Sequence, residues 1–230
     1  MTGSSSHRPV VPSVPGACLA ACAVLHELDG YTVVAHYGSV SGEIAVCMKS
    51  VGLADRSDFG VCELCGAREL VDRALVDRLG DPPPAPGWGR RAGHVWHLRL
   101  DARHALLVGP HAALASGSAL GRGLNGGDLR HRDIGASLAI VGVVGPRAAR
   151  VLAAAGLPSD GPIGAIGADA GDSTIVAILR ESQRRYLVLV RAGAADALWA
   201  RLLIAGEPLG AAFVGYDALR LLNASPVAAG

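Results

Sequence analysis

Charge of one sign is what this 230-residue chain most plainly lacks: 21 basic residues stand against 20 acidic ones, a formal net charge of +1. Neither a nucleic-acid backbone nor an anionic lipid surface finds the basic excess that would recruit it. Long apolar runs are missing too. Half of the residues are hydrophobic, but they are dispersed, and no uninterrupted stretch of about 18 exists to span a bilayer. The opening MTGSSSHRPVVPSVPGA lacks the charged-then-apolar order of a secretory leader. The five cysteines, Cys18, Cys22, Cys47, Cys62 and Cys65, are therefore expected as free thiols in a reducing cytosol. Aromatic residues make up 4%, a scarcity that goes with the Ala-, Gly-, Arg- and Leu-rich usage of GC-rich coding. No GxSxG elbow, Walker loop or HExxH helix occurs, so generic catalytic motifs name no activity. The expectation is a soluble, cytoplasmic globular protein without nucleic-acid or membrane partners.

What is there is a recurring joint. Residues 1–16 are Ser- and Pro-rich and read as a flexible tail; 17–225 form the domain, and 226–230 a short C-terminal tail. Within the domain, VCELCGARELVDRALVDRLG, ALLVGPHAALASGSAL, AIVGVVGPRAARVLAAAG and YLVLVRAGAADALWARLLIAG each run a short apolar strand through a Gly turn into a helix-period segment. Leu70, Ala74, Leu75 and Leu79 mark one helix stripe. Ala148, Val151, Leu152 and Ala155 mark a second, and Leu198, Leu202 and Leu203 a third. Pro82 to Pro86 forbid helix and strand alike over 81–89. Further strands are expected near 32–36, 94–100, 173–180 and 207–214. Because 94–100 adjoins 104–109 and 173–179 adjoins 185–190, these pairs are expected as antiparallel hairpins. Split β-α-β units follow, and the fold class is α+β.

Three patterns invite chemistry. Gly121-Arg122-Gly123-Leu124-Asn125-Gly126 spells the dinucleotide fingerprint, but it follows a helix over 110–120 and precedes a strand, the reverse of what phosphate binding needs. It reads as a glycine cap and loop. Cys62 and Cys65 have zinc-knuckle spacing within a strand over 61–65; opposite faces cannot share a tetrahedral ion, so buried inert thiols are favoured. His94 and His97 meet the same objection if 94–100 is a strand, and His131 in Arg130-His131-Arg132 reads as a solvated loop residue.

One constellation resembles a family. His36-Tyr37-Gly38-Ser39, Glu43, Ala45-Val46, Gly52-Leu53-Ala54-Asp55-Arg56-Ser57 and Leu64-Cys65-Gly66-Ala67 look like the opening of the glycine cleavage T-protein, an aminomethyltransferase. Val144-Gly145-Pro146-Arg147-Ala148-Ala149, the helix segment 195–206 and Asp217-Ala218-Leu219-Arg220-Leu221 resemble later pieces of that family in the same order. The resemblance implies ferredoxin-like β-α-β units around a central pocket for tetrahydrofolate, without the family's C-terminal barrel domain, since the chain stops at Gly230.

It also implies where chemistry should sit and where it is missing. The family's pterin-facing segment with its essential Asp corresponds to 87–94, which holds no acid; His94 falls near that place as a candidate catalytic proton acceptor. The family's pterin-binding Glu becomes Gln183, its second tyrosine is Tyr186, and Arg220 is available to folate carboxylates. Phe59, Trp88, Trp96 and Tyr186 are the aromatic stackers. Gln183, Tyr186, Arg220 and Trp96 are thus the expected cofactor-binding residues, with no metal. The segment from Arg180 to Val188 also resembles the gamma subunit of heterotetrameric sarcosine oxidase, a structural chain. Two functions follow as expectations: a folate-binding protein of one-carbon metabolism with weakened aminomethyltransferase chemistry, or a non-catalytic partner subunit.

Overall fold

The computed structural model describes residues 23–80, 82–117, 129–167 and 174–224. The chain opens with the hairpin β1 (Val24–Leu28) and β2 (Tyr31–His36), then α1 (Val40–Lys49), β3 (Val51–Asp55), β4 (Phe59–Cys65) and α2 (Arg68–Leu79). Next come β5 (Trp88–Ala92), β6 (Val95–Arg99), β7 (His104–Pro110), α3 (His111–Gly117) and β8 (Arg130–Asp133). The last part runs β9 (Leu138–Val144), α4 (Ala148–Ala154), β10 (Ile166–Gly167), β11 (Ile175–Ser182), β12 (Arg185–Arg191), α5 (Ala195–Gly206), β13 (Ala211–Val214) and α6 (Tyr216–Ala224).

Apart from the β1–β2 hairpin, the strands form a six-stranded sheet ordered β10-β11-β12-β9-β3-β13 and a five-stranded sheet ordered β5-β6-β7-β4-β8. Both sheets are antiparallel except at β13, which lies parallel to β3. Strand alternation builds the layers. On β12, Tyr186, Val188 and Val190 turn to one face, where they join Val151 and Leu152 of α4 and Leu198, Trp199 and Leu202 of α5. Leu187 and Leu189 turn to the other, against Trp96, Leu98, Leu106 and Val108 of the second sheet. That sheet's far face is covered by Val71, Ala74 and Leu75 of α2. Each such side chain, taken fully out of water, contributes about 1.5–3 kcal/mol before chain entropy is set against it.

The α+β architecture, both expected hairpins and the stripes of α4 and α5 are present; on α2 Val71, rather than Leu70, joins Ala74 and Leu75 in the core. Differences are local. The strand expected over 207–214 begins at Ala211, because Glu207–Leu209 is a 3-10 turn containing Pro208. His131 lies on β8, hydrogen-bonded along β4, so it is not a loop residue. His94 sits in the turn ahead of β6 and only His97 is in the strand. Strand β5 starts inside the segment read as a break: Gly89 N–H donates to Gly164 O (2.7 Å) and Ile166 N–H to Gly87 O (2.9 Å), extending the five-stranded sheet's edge toward β10. The glycine segment 121–126, Cys18, Cys22 and both expected tails lie outside the described residues.

Glu43 holds the site end of the fold in place. It is 6% exposed, and its Oε1 accepts from Tyr37 N–H at 2.7 Å while Oε2 accepts from Gly215 N–H at 2.8 Å. The turn between β2 and α1 is thereby strapped to the turn between β13 and α6.

Candidate functional site

Five chain segments meet at one end of the two sheets and enclose a cavity of about 220 Å³. The β1–β2 turn contributes Leu28 and Asp29, and the β3–β4 turn contributes Arg56, Asp58 and Phe59. Arg91 and His94 come from the β5–β6 hairpin, Pro110 and His111 from the junction of β7 and α3, and Tyr216, Leu219, Arg220 and Asn223 from α6. A chamber of about 40 Å³ adjoins it, lined by Asp55, Ser57 and Ile140 among others. Arg56, Phe59 and His111 line both spaces.

The inner wall is tightly determined. Arg56 Nε donates to Asp58 Oδ1 at 2.8 Å and Nη2 to Asp58 Oδ2 at 3.0 Å, the bidentate fork that suits guanidinium to carboxylate. Its guanidinium carbon lies 3.7 Å from the centre of the Phe59 ring, a cation–π contact. Burial works against the Arg56 charge, but Asp58, with Glu181 and Asp55, more than offsets it and holds the group above its ordinary value. His111 Nε2 is 3.1 Å from Ser57 O, and its imidazole stacks on Tyr31 with ring centres 3.3 Å apart and planes 5° from parallel. The mouth is more open: Arg91, His94 and Arg220 are exposed. Arg91 Nε donates to Gly93 O at 2.9 Å, while Arg220 makes no hydrogen bond or ion pair among the described residues.

Of the five expected site residues, the structure brings His94 and Arg220 together on this cavity. The other three stand elsewhere. Tyr186 is 1% exposed on the helix-covered face, its hydroxyl donating to Ser159 O at 3.0 Å. Trp96 is buried between the sheets, its Nε1–H donating to Glu181 Oε1 at 2.9 Å. Gln183 is exposed in the tight turn between β11 and β12. Among the stackers only Phe59 lines the cavity, and Arg56 covers it. Sequence reasoning missed Arg56, Arg91, His111 and Tyr216 as lining groups. Arg56 lies inside the Asp55-Arg56-Ser57 motif, and an arginine two residues before an acid, Asp58, was the available signal. Among the described residues no group of three or more His, Cys, Asp or Glu is placed to hold a metal, and no helix is long and apolar enough to cross a membrane.

Comparison with known proteins gives the fold a family context. No family model matches the chain. The glycine cleavage system aminomethyltransferase T of Bartonella henselae superposes with a TM-score of 0.76 at 22% identity, over 91% of this chain and 61% of that one. The chain has the T-protein fold. A curated aminomethyltransferase from Frankia alni is 31% identical over 214 residues, covering 84% of this chain and 54% of its own length. The T-protein-like chain thus spans about half of that relative. A chain of the heterotetrameric sarcosine oxidase from Corynebacterium sp. U-96, in complex with pyrrole 2-carboxylate, superposes with a TM-score of 0.53 at 18% identity, over 75% of this T-protein-like chain and 93% of that one.

Proposed function

We propose that the chain is a folate-binding protein of one-carbon metabolism, and that a tetrahydrofolate binds at the cavity between the β3–β4 turn and α6. The observation that carries this reading is the convergence of Arg56, Arg91, Arg220 and His94, four groups from three separate segments, on one cavity. The likeness to aminomethyltransferases supplies the ligand class; the arginines supply the complement to its carboxylates.

The residues present suit only part of a tetrahydrofolate. Arg91 and Arg220 fit the anionic glutamate end. A pterin presents adjacent N–H donors that a carboxylate would hold; of the acids on this cavity, Asp58 has both oxygens taken by Arg56 and Asp29 is exposed, while Asp55 lines only the smaller chamber. Gln183 lies in an exposed turn, and Tyr186 spends its hydroxyl on Ser159. No transfer step is therefore assigned to this chain. His94 stands at the mouth as the candidate for moving a proton there, an imidazole being able to accept and return one.

The test is titration of the purified chain with 5-formyltetrahydrofolate, followed by an assay for aminomethyl transfer with His94→Ala as comparison. Micromolar binding that weakens in Arg220→Ala supports the reading. Absence of heat at millimolar folate ends it, and turnover unchanged in His94→Ala removes the histidine's role.

A second reading, a partner subunit without chemistry, is favoured by one observation: the fold match spans 93% of a chain from a heterotetrameric oxidase. That chain's assembly is its own property. Here the reading predicts that the endogenous protein sediments with a stoichiometric partner in extracts of its host, and sedimentation as a lone monomer would count against it.

A further inference from the structure

The Cys62–Cys65 pair lies away from the cavity, and the structure treats its two thiols differently. Both stand on β4, and strand alternation sends them to opposite faces, too far apart to bridge as a disulfide. Cys62 turns under α2 with Val71, Ala74 and Leu75, where burial pushes its thiol up to about 11. Cys47 is likewise buried, and its thiol is pushed up to about 12. Neither offers a thiolate at neutral pH. Cys65 turns the other way at the strand's end and is half-buried, not the fully buried thiol expected of it.

Cys65 does not stand alone there. The ladder sets it directly opposite His104 of β7 on one side and Arg130 of β8 on the other. Directly opposed residues share a face, with Cβ atoms about 4.5–5.5 Å apart. A thiol therefore stands between an imidazole and a guanidinium. His104 is oriented from behind, its Nδ1 lying 2.7 Å from Asp101 Oδ2. An ionised carboxylate only accepts, so Nδ1 carries the proton and Nε2 keeps its lone pair. Asp101 is fixed in turn, its Oδ1 accepting from the Arg103 and His104 N–H groups at 2.6 and 2.9 Å. Burial works to raise that carboxyl, but these bonds and the His104 ring hold it below its ordinary value. Cysteine, histidine and aspartate follow one another in the order that activates a thiol nucleophile. Arg130 is exposed and makes no hydrogen bond or ion pair among the described residues, whereas Arg132 on the same strand is spent on Glu63 at 3.0 Å.

We propose that Cys65 is a reversible modification site, thiolated by a small carboxylate-bearing disulfide. His104 Nε2 takes the Sγ proton, and the thiolate attacks one sulfur of the disulfide. That S–S bond breaks as the new Sγ–S bond forms, and the departing thiolate recovers the proton from His104. Cys65 is oxidised, and the released half of the disulfide is reduced. Asp101 positions the imidazole, and Arg130 attracts the disulfide's carboxylates. Phe59 at the cavity and Cys65 are the two ends of one seven-residue strand, about 20 Å apart. The proposal therefore does not rest on the folate reading.

Incubation of the full reduced chain with glutathione disulfide, with mass mapping of every cysteine, tests the site. The adduct is expected on Cys65 and not on Cys47 or Cys62, fragment spectra separating the two thiols of β4. It should form about tenfold faster at pH 7 than on an unstructured cysteine peptide. His104→Gln, which hydrogen-bonds but cannot hold the proton, should slow it by about tenfold, and His104→Lys, which restores a cation, should recover part of the rate. Cystamine, a dicationic disulfide, isolates Arg130. The ratio of the glutathione disulfide rate to the cystamine rate should fall by about threefold in Arg130→Ala, the scale of one exposed charge pair. A Cys65 rate equal to the peptide's, or unchanged in His104→Gln, would overturn the proposal. So would adducts that reach Cys47 or Cys62 first. An unchanged ratio in Arg130→Ala would overturn the selectivity for a carboxylate-bearing disulfide.

Discussion

Glu43 stands in the first turn of α1, where a carboxylate suits the positive end of the helix, yet both its oxygens are spent across the molecule on Tyr37 and Gly215 N–H groups. Glu43→Gln would turn an amide N–H₂ toward one of those donors and leave a buried N–H unmatched. Stability should fall by about 1–3 kcal/mol in chemical denaturation, and folate affinity should fall with it, because the same strap sets α6 against the cavity. His97 gives a second expectation. It is 2% exposed, and burial, then the nearby Arg78 and Arg90 charges, pull it from 6.5 down to about 4. The unfolded chain then binds the extra proton below pH 6.5 and the folded chain does not until about pH 4. Stability is full above 6.5 and is lost as pH falls through that window, by at most about 3 kcal/mol. His97→Leu should flatten the profile of melting temperature against pH between those limits; an unchanged slope would assign it to other groups. Neither role was legible beforehand. Glu43 was visible as part of a family pattern, but its partners lie 6 and 172 positions away, and His97 was weighed only as a ligand.

The elements that local pattern reveals are those buried on at least one face. Strands β6, β7, β9, β11 and β12 carry enough apolar residues to be read directly, as do the stripes of α2, α4 and α5. Strands β5 (WGRRA) and β8 (RHRD) have no such pattern and exist through backbone pairing at sheet edges, where charged side chains are tolerated. Helices α1 and α6 escaped notice because their few buried apolar residues pack against each other, through Cys47, Leu219 and Leu222. The joint Val144-Gly145-Pro146, picked out as a strand-to-helix turn, has a physical cause. Gly145 has φ +139°, and a Cβ there would overlap the Ser50 carbonyl oxygen. Gly145→Ala should cost about 3 kcal/mol, read from the shift of the denaturation midpoint at constant slope. A loss below a few tenths of a kcal/mol would mean that the α1–β3 turn yields easily.

At the scale of the whole molecule, the layered α+β fold was legible because alternation and helix periodicity state which faces are buried. The cavity was not, because its walls come from five segments between residues 28 and 223 and no local pattern marks their convergence. Tyr186 shows the limit most clearly: the motif that carried it set its identity, while the parity of β12 set its face, and that face belongs to the helices. The same parity places Leu187 and Leu189 between the sheets. Because Arg91 and Arg220 are exposed, any anion binding at the mouth should weaken steadily with added salt, whereas the clamped Arg56 should be far less screened. A Kd independent of ionic strength would remove the mouth arginines from the site. The most direct measurement is calorimetric titration of 5-formyltetrahydrofolate into the wild-type chain and into Arg220→Ala under reducing conditions. Micromolar binding that falls by about tenfold in the variant is the expected result; no heat at millimolar folate, or equal affinity in both proteins, would contradict a folate site at this cavity.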